Sequence, residues 1–156
     1  LQDMPASTHF GIPLRNTAPV SMTGYYKYRP GQTYIRLNST KNGVVEVPGK
    51  TDDFAIYAIV YEVTPEHPYI DGNNSLTSPD IVLKAELKAE DHKVGDDWVK
   101  FDLPFEPQNG KTIDEQKLLQ GRYNIAIILS SSEGGARFEG AVGSTLYVDE
   151  IHINYE

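Results

Sequence analysis

Apolar and polar residues in this chain alternate mostly with a period of two, and the 3.6-residue period of a helix is scarce. The run from Ser21 to Tyr28 reads as a short strand, and Pro30-Gly31 supplies the turn after it. Residues 32 to 38 place Thr33, Ile35 and Leu37 on one side and Tyr34, Arg36 and Asn38 on the other. A polar link from Ser39 to Gly43 leads to Val44, Val45 and Val47. Phe54 to Val63 is apolar on both faces, which predicts a central strand. Pro65, Pro68 and Asp71-Gly72 then mark a turn-rich loop. Ile81 to Ala89 alternates again, with Lys84, Glu86 and Lys88 outward. In the next strand Val99, Phe101 and Leu103 face in, while Trp98, Lys100 and Asp102 face out. Gln108 to Gly121 is the one stretch that could hold a helical turn, around Asp114 to Leu119.

The last third has a different texture. Tyr123 to Leu129 has the length and β-branched content of a buried strand. A loop follows, built from Ser130 to Ser132 and four glycines between Gly134 and Gly143, with Arg137 and Phe138 at its centre. In the strand from Leu146 to Tyr155, Tyr147, Asp149, Ile151, Ile153 and Tyr155 fall on one mostly apolar side. That pattern predicts an inward carboxylate at Asp149. A carboxylate taken out of water needs a cation or several donors. Asp149 is therefore a candidate ligand of a structural Ca²⁺, or a group satisfied by backbone N–H or a tyrosine hydroxyl.

Eight or nine strands with turn signals between them predict an all-β fold, an antiparallel two-sheet β-sandwich of jelly-roll connectivity. Phe54 to Val63 and Tyr123 to Leu129 are its expected interior strands. At 156 residues, with no dividing linker, the chain is expected to form one domain over residues 1 to 156. Its start, Leu1-Gln2-Asp3, suggests a piece excised from a longer multidomain protein. Without cysteine it has neither disulfides nor thiolate metal sites. A net charge of −8 with no basic stripe argues against nucleic acid as a partner. No apolar run approaches the ~18 residues of a membrane span.

Candidate chemistry is sparse. Adjacent acids such as Asp52-Asp53 and Asp96-Asp97 point to opposite faces of a strand, a poor geometry for the paired carboxylates of a glycosidase. They read as solvated surface acids. The four histidines lack zinc spacing, and Ser130 to Ser132 lie outside any nucleophile elbow. These observations predict a protein that is not an enzyme. Trp98, on the polar side of its strand, could stack on a pyranose or cap the sandwich edge. Tyr34 and Arg36 form an outward row that could add polar contacts, and Arg137 a rim contact from the glycine loop. Phe138 reads better as a plug at the end of the core.

Several segments together resemble a family of Bacteroidetes surface proteins, the putative carbohydrate metabolism domain. They are Gly24-Tyr25-Tyr26-Lys27-Tyr28 with Pro30-Gly31, Ile56 to Tyr61, Ser130 to Ser132, Gly135, Phe138 to Ala141, and Gly143 to Glu150. The resemblance implies a galactose-binding-type sandwich, like those of carbohydrate-binding modules, and a place near polysaccharide use. Read with the residues, it suggests a non-catalytic module, extracellular or on the outer-membrane surface, with the periplasm as another compartment. Its expected partners are a polysaccharide or oligosaccharide and neighbouring domains, with no cofactor required beyond the calcium considered at Asp149. The alternatives are a structural or adhesive β-domain with no sugar ligand and, third, a catalytic domain associated with glycoside hydrolysis.

Overall fold

The segment that is apolar on both faces runs through the middle of the larger sheet. The computed structural model describes residues 4–38, 40 and 43–156; Leu1 to Asp3 and most of the polar link at 39–43 lie outside the described residues. In chain order the strands are β1 (Ile12–Pro13), β2 (Pro19–Arg29), β3 (Tyr34–Asn38), β4 (Gly43–Glu46), β5 (Ala55–Glu62) and β6 (Ile81–Glu86). They continue with β7 (Val99–Pro104), β8 (Glu106–Pro107), β9 (Tyr123–Ser130), β10 (Glu139–Ala141) and β11 (Thr145–Tyr155). Two short α-helices, α1 (Met4–Ser7) and α2 (Glu115–Leu119), and two 3-10 turns, at Ala89–Asp91 and Gly135–Arg137, accompany them. The helical turn falls where the sequence allowed it, because Asp114 caps it by accepting from the Lys117 amide at 2.9 Å.

Five strands in the order β1-β9-β5-β6-β8 face three in the order β11-β2-β7, and β10-β3-β4 form a small side sheet. Every strand pairing is antiparallel. The chain crosses between the main sheets after β1, β6 and β7, and by way of the side sheet between β2 and β5 and between β9 and β11, as in a jelly-roll sandwich. Phe54, Ile56 and Ala58 pack against Met22, Tyr26, Tyr28, Phe101 and Leu103 to make the core between the sheets. The opposite face of β5, with Tyr57, Ile59 and Tyr61, is covered by Ile70 and Phe10. This third layer explains why β5 needed two apolar faces.

Three expectations require correction. The first is the face of β11. Asp149 pairs with Tyr25 and His152 with Thr23, so one strand takes three steps where its partner takes two. That extra residue is a β-bulge, with Glu150 in the left-handed region at φ 50°. Ahead of the bulge Leu146 and Val148 face the core; beyond it Ile151 and Ile153 do. Tyr147 and Asp149 are therefore outside, and the predicted inward acid is an exposed one.

The second is Tyr34, which is buried rather than outward. Its strand belongs to the side sheet, whose inner face turns toward the glycine loop, and its hydroxyl donates to Glu139 Oε2 at 3.3 Å. The third is β9. Tyr123, Ile125 and Ala126 are buried as expected, but Ile127 is 43% and Leu129 40% exposed. The two-residue β1 flanks only the first part of the strand, at Asn124 and Ile125.

Candidate functional site

The acid that is taken out of water is Asp52, just before β5, at 3% exposure. Its Oδ2 accepts from Ser132 Oγ and Ser144 Oγ, each at 2.6 Å, and from the Ala141 amide at 2.8 Å. Its Oδ1 accepts from the Asp53 amide at 3.0 Å. Gly140 is required by this closeness, since a Cβ there would meet Ser132 Oγ at 2.7 Å. Asp53 ties down a second loop: its Oδ1 lies 2.8 Å from His92 Nδ1, while His92 Nε2 faces the Leu87 carbonyl at 2.9 Å. The imidazole also stacks on Phe54 with centroids 4.0 Å apart. Tyr28 adds a further tie from its hydroxyl to the Ser131 carbonyl at 2.8 Å; burial pushes this phenol up, opposed by a hydrogen bond with Ser144. The Asp52-Asp53 pair thus pins the glycine loop and the segment around His92 to the start of the central strand. Both Asp52 oxygens and Asp53 Oδ1 are taken up by protein groups, so the role of the pair is to hold the loops in place.

Those loops wall a groove of about 780 Å³ on the outer face of the five-stranded sheet, within the ~300–1,000 Å³ range of ligand pockets. Ala55, Tyr57, Glu86, Ile128 and Ser130 share its floor through their register. One wall runs through Asn73, Leu76 and Thr77, and the other carries Glu133, Ala136 and Arg137. Tyr57 is locked to Ser75 by a buried hydroxyl–hydroxyl hydrogen bond at 2.9 Å, and burial pushes the pKa of its phenol up.

A second surface lies on the opposite face of the sandwich. Trp98, next to β7, is 46% exposed, and Tyr147, on β11, is 45% exposed. Lys27, on the β2 strand between them, sits with Nζ 4.8 Å from the Trp98 ring centroid and 5.0 Å from that of Tyr147. The result is an aromatic–lysine–aromatic row that runs from β11 across β2 to the start of β7. Tyr147 was missed in the sequence because unbroken alternation put it inward. The spacing of Leu146, Val148, Ile151 and Ile153, two then three then two, was the available signal for the bulge that turns it out.

The four residues expected to bind ligand do not form one site. Arg137 Nη2 lies 3.9 Å from Glu139 Oε2, the carboxylate that Tyr34 also bonds, and Lys50 Nζ reaches the same atom at 3.6 Å. Arg36 pairs with Glu139 in the strand register and is exposed. These three residues gather around Glu139, while Trp98 stands on the outer face of the other sheet.

The calcium expectation loses its footing with the turn of Asp149. That side chain accepts from the Glu150 amide at 2.8 Å, within the bulge, and no group of three or more His, Asp or Glu among the described residues is arranged to hold a metal. Asp149→Ala is expected to change stability by no more than ~0.5 kcal/mol, the range of an ordinary surface substitution. Thermal melts with and without a chelator check this. A calcium-dependent fall in melting temperature, lost in the variant, would restore Asp149 as a ligand.

These elements define an antiparallel β-sandwich with a walled groove on one sheet and an exposed aromatic row on the other. The chain belongs to the putative carbohydrate metabolism domain family, whose pattern matches residues 1–154. Two solved Bacteroides structures are similar, each described as a putative glycoside hydrolase. The one from Bacteroides thetaiotaomicron VPI-5482 is 43% identical with a TM-score of 0.87, covering 97% of this chain and 42% of that one. The one from Bacteroides vulgatus ATCC 8482 is 34% identical with a TM-score of 0.84, covering 99% of this chain and 58% of that one. The chain therefore spans well under two thirds of either protein. No curated protein sequence matches it.

Proposed function

We propose that this chain is a non-catalytic carbohydrate-binding module of a larger surface or secreted protein, and that the Trp98–Lys27–Tyr147 row is its binding surface. The carrying observation is the pair of exposed rings in line across the outer sheet. A pyranose presents one face of C–H groups that stacks on an aromatic ring, and equatorial hydroxyls that a lysine ammonium can reach. Single exposed aromatics are ordinary, but two flanking one cation offer a recognition surface. The family's carbohydrate description supports the same ligand class. Such an exposed site does not surround its ligand, so modest affinity is expected.

A glycan array followed by calorimetry tests the proposal. Trp98→Ala and Tyr147→Ala should each weaken binding by at least ~10-fold, equivalent to about 1.4 kcal/mol, with the melting temperature nearly unchanged because both side chains are half solvated. Absence of any glycan ligand would favour the structural or adhesive alternative. The description shared by the two Bacteroides neighbours supports a second reading, glycoside hydrolysis. Reducing sugar released from a bound polysaccharide, and lost in Glu86→Gln or Glu133→Gln in the groove, would establish it.

A further inference from the structure

Sheet edges with unpaired N–H and C=O groups invite other strands, and proteins usually block them. This sandwich blocks almost all of its edges. Pro13 lies in β1 and Pro107 in β8, Pro104 ends β7, and the Glu150 bulge interrupts β11. In the side sheet β4 and β10 are only 4 and 3 residues long. Among the described residues the exception is β9 from Ala126 to Ser130. Its far edge pairs with no strand among the described residues, and the stretch contains no proline, no charge and no bulge.

The side chains on that stretch match the open edge. Ile127 and Leu129 sit opposite Ala58 and Ile56 in register, so they project on the core side of the sheet while remaining about 40% exposed. Ile153 of β11 packs against the cluster containing Tyr123 and Ile125, which puts β9 and β11 along the same side of the sandwich. Farther along, Ile127 and Leu129 belong to none of the core clusters and stay about 40% exposed, while Val148 and Ile151 of β11 are half-buried against the core between the sheets. Ile127 and Leu129 themselves are aliphatic, and they also border the walled groove.

We propose that this open side receives an extended segment from an adjoining part of a longer polypeptide, added as a strand beside β9 with alternate apolar residues closing over Ile127 and Leu129. Strand addition suits the site because the main-chain groups supply affinity and the alternate side chains fill the gap. Two observations favour an occupant from the same polypeptide. The two Bacteroides neighbours match nearly all of this chain yet extend far beyond it, leaving more than half of one and about two fifths of the other outside the match. A second copy is disfavoured because each chain carries a net charge of −8. The inference is independent of the glycan surface, which lies on the other sheet.

Amide hydrogen exchange tests it in two proteins, this chain and the intact Bacteroides thetaiotaomicron neighbour. In this chain the edge-facing amides between Ala126 and Ser130 should exchange rapidly. In the intact neighbour the aligned amides should exchange at least ~100-fold more slowly, as for a stretch exposed only by local opening. Equal, rapid exchange in both would overturn the proposal. So would protection in this chain that rises with concentration alongside a dimer in sedimentation, which would assign the edge to a second copy. As a further check, Ile127→Lys combined with Leu129→Lys should leave the melting temperature of this chain within ~3 °C, because lysine stems can lie along the strand with their charges in water. A large fall would place both residues in the chain's own core and reject the open side.

Discussion

Asp52→Ala is expected to destabilise the protein by roughly 2–4 kcal/mol, the scale of leaving buried donors without their acceptor. The substitution strands the Ala141 amide and two serine hydroxyls that now converge on one carboxylate oxygen. The hydroxyls can rotate toward water, since Ser132 and Ser144 are only half buried, but the Ala141 amide is enclosed. The damage should be largest in the glycine loop, which these bonds hold against the start of β5. Asp52→Asn should lose less, because its amide oxygen can still accept from a main-chain N–H. Urea unfolding would show a lower midpoint at unchanged slope, and limited proteolysis would cut first between Ser132 and Gly143. A loss under ~1 kcal/mol in Asp52→Ala would mean that the loop is held by its neighbours rather than by this carboxylate.

The contrast between Asp52 and Asp149 shows how far the sequence could be read. Where the pattern runs without interruption the reading held: β7 turns Val99, Phe101 and Leu103 inward, β5 is covered on both of its apolar faces, and Asp114 caps the expected helical turn. It failed at β11 because one inserted residue exchanges the two faces, and period-two reasoning has no memory of a bulge unless the apolar spacing is checked step by step. Asp52 was unreadable for a different reason. Its donors lie 80, 89 and 92 residues away, so nothing local separates it from the solvated acids of other turns. The aromatic row was half legible. Trp98 faces out as its alternation required, but alignment with Lys27 and Tyr147 depends on the pairing of three strands distant in sequence. Tyr34 and Ile127 show the complementary limit: alternation assigns sides, while burial depends on which sheet or edge covers them.

Phe101→Ala should cost about 3–5 kcal/mol, the usual penalty for deleting a buried aromatic ring from a core that relaxes only partly. Phe101 is buried between the sheets and lies directly opposite Gly24 in the β2–β7 register. Its ring fills the space that a side chain on Gly24 would need: a Cβ there would meet Phe101 Cζ at 2.7 Å and Ile151 Cδ1 at 2.8 Å. This pairing gives the prediction a second arm. Gly24→Ala alone should overpack the site and cost about 1–3 kcal/mol. In the Phe101→Ala background the same methyl enters the vacated volume, so the double variant should be more stable than the sum of the single losses predicts, by at least ~0.5 kcal/mol. Urea unfolding of the four proteins in this cycle measures the coupling. Simple additivity would show that the ring does not occupy the space over Gly24, and a loss of under ~1 kcal/mol for Phe101→Ala would remove that residue from the core.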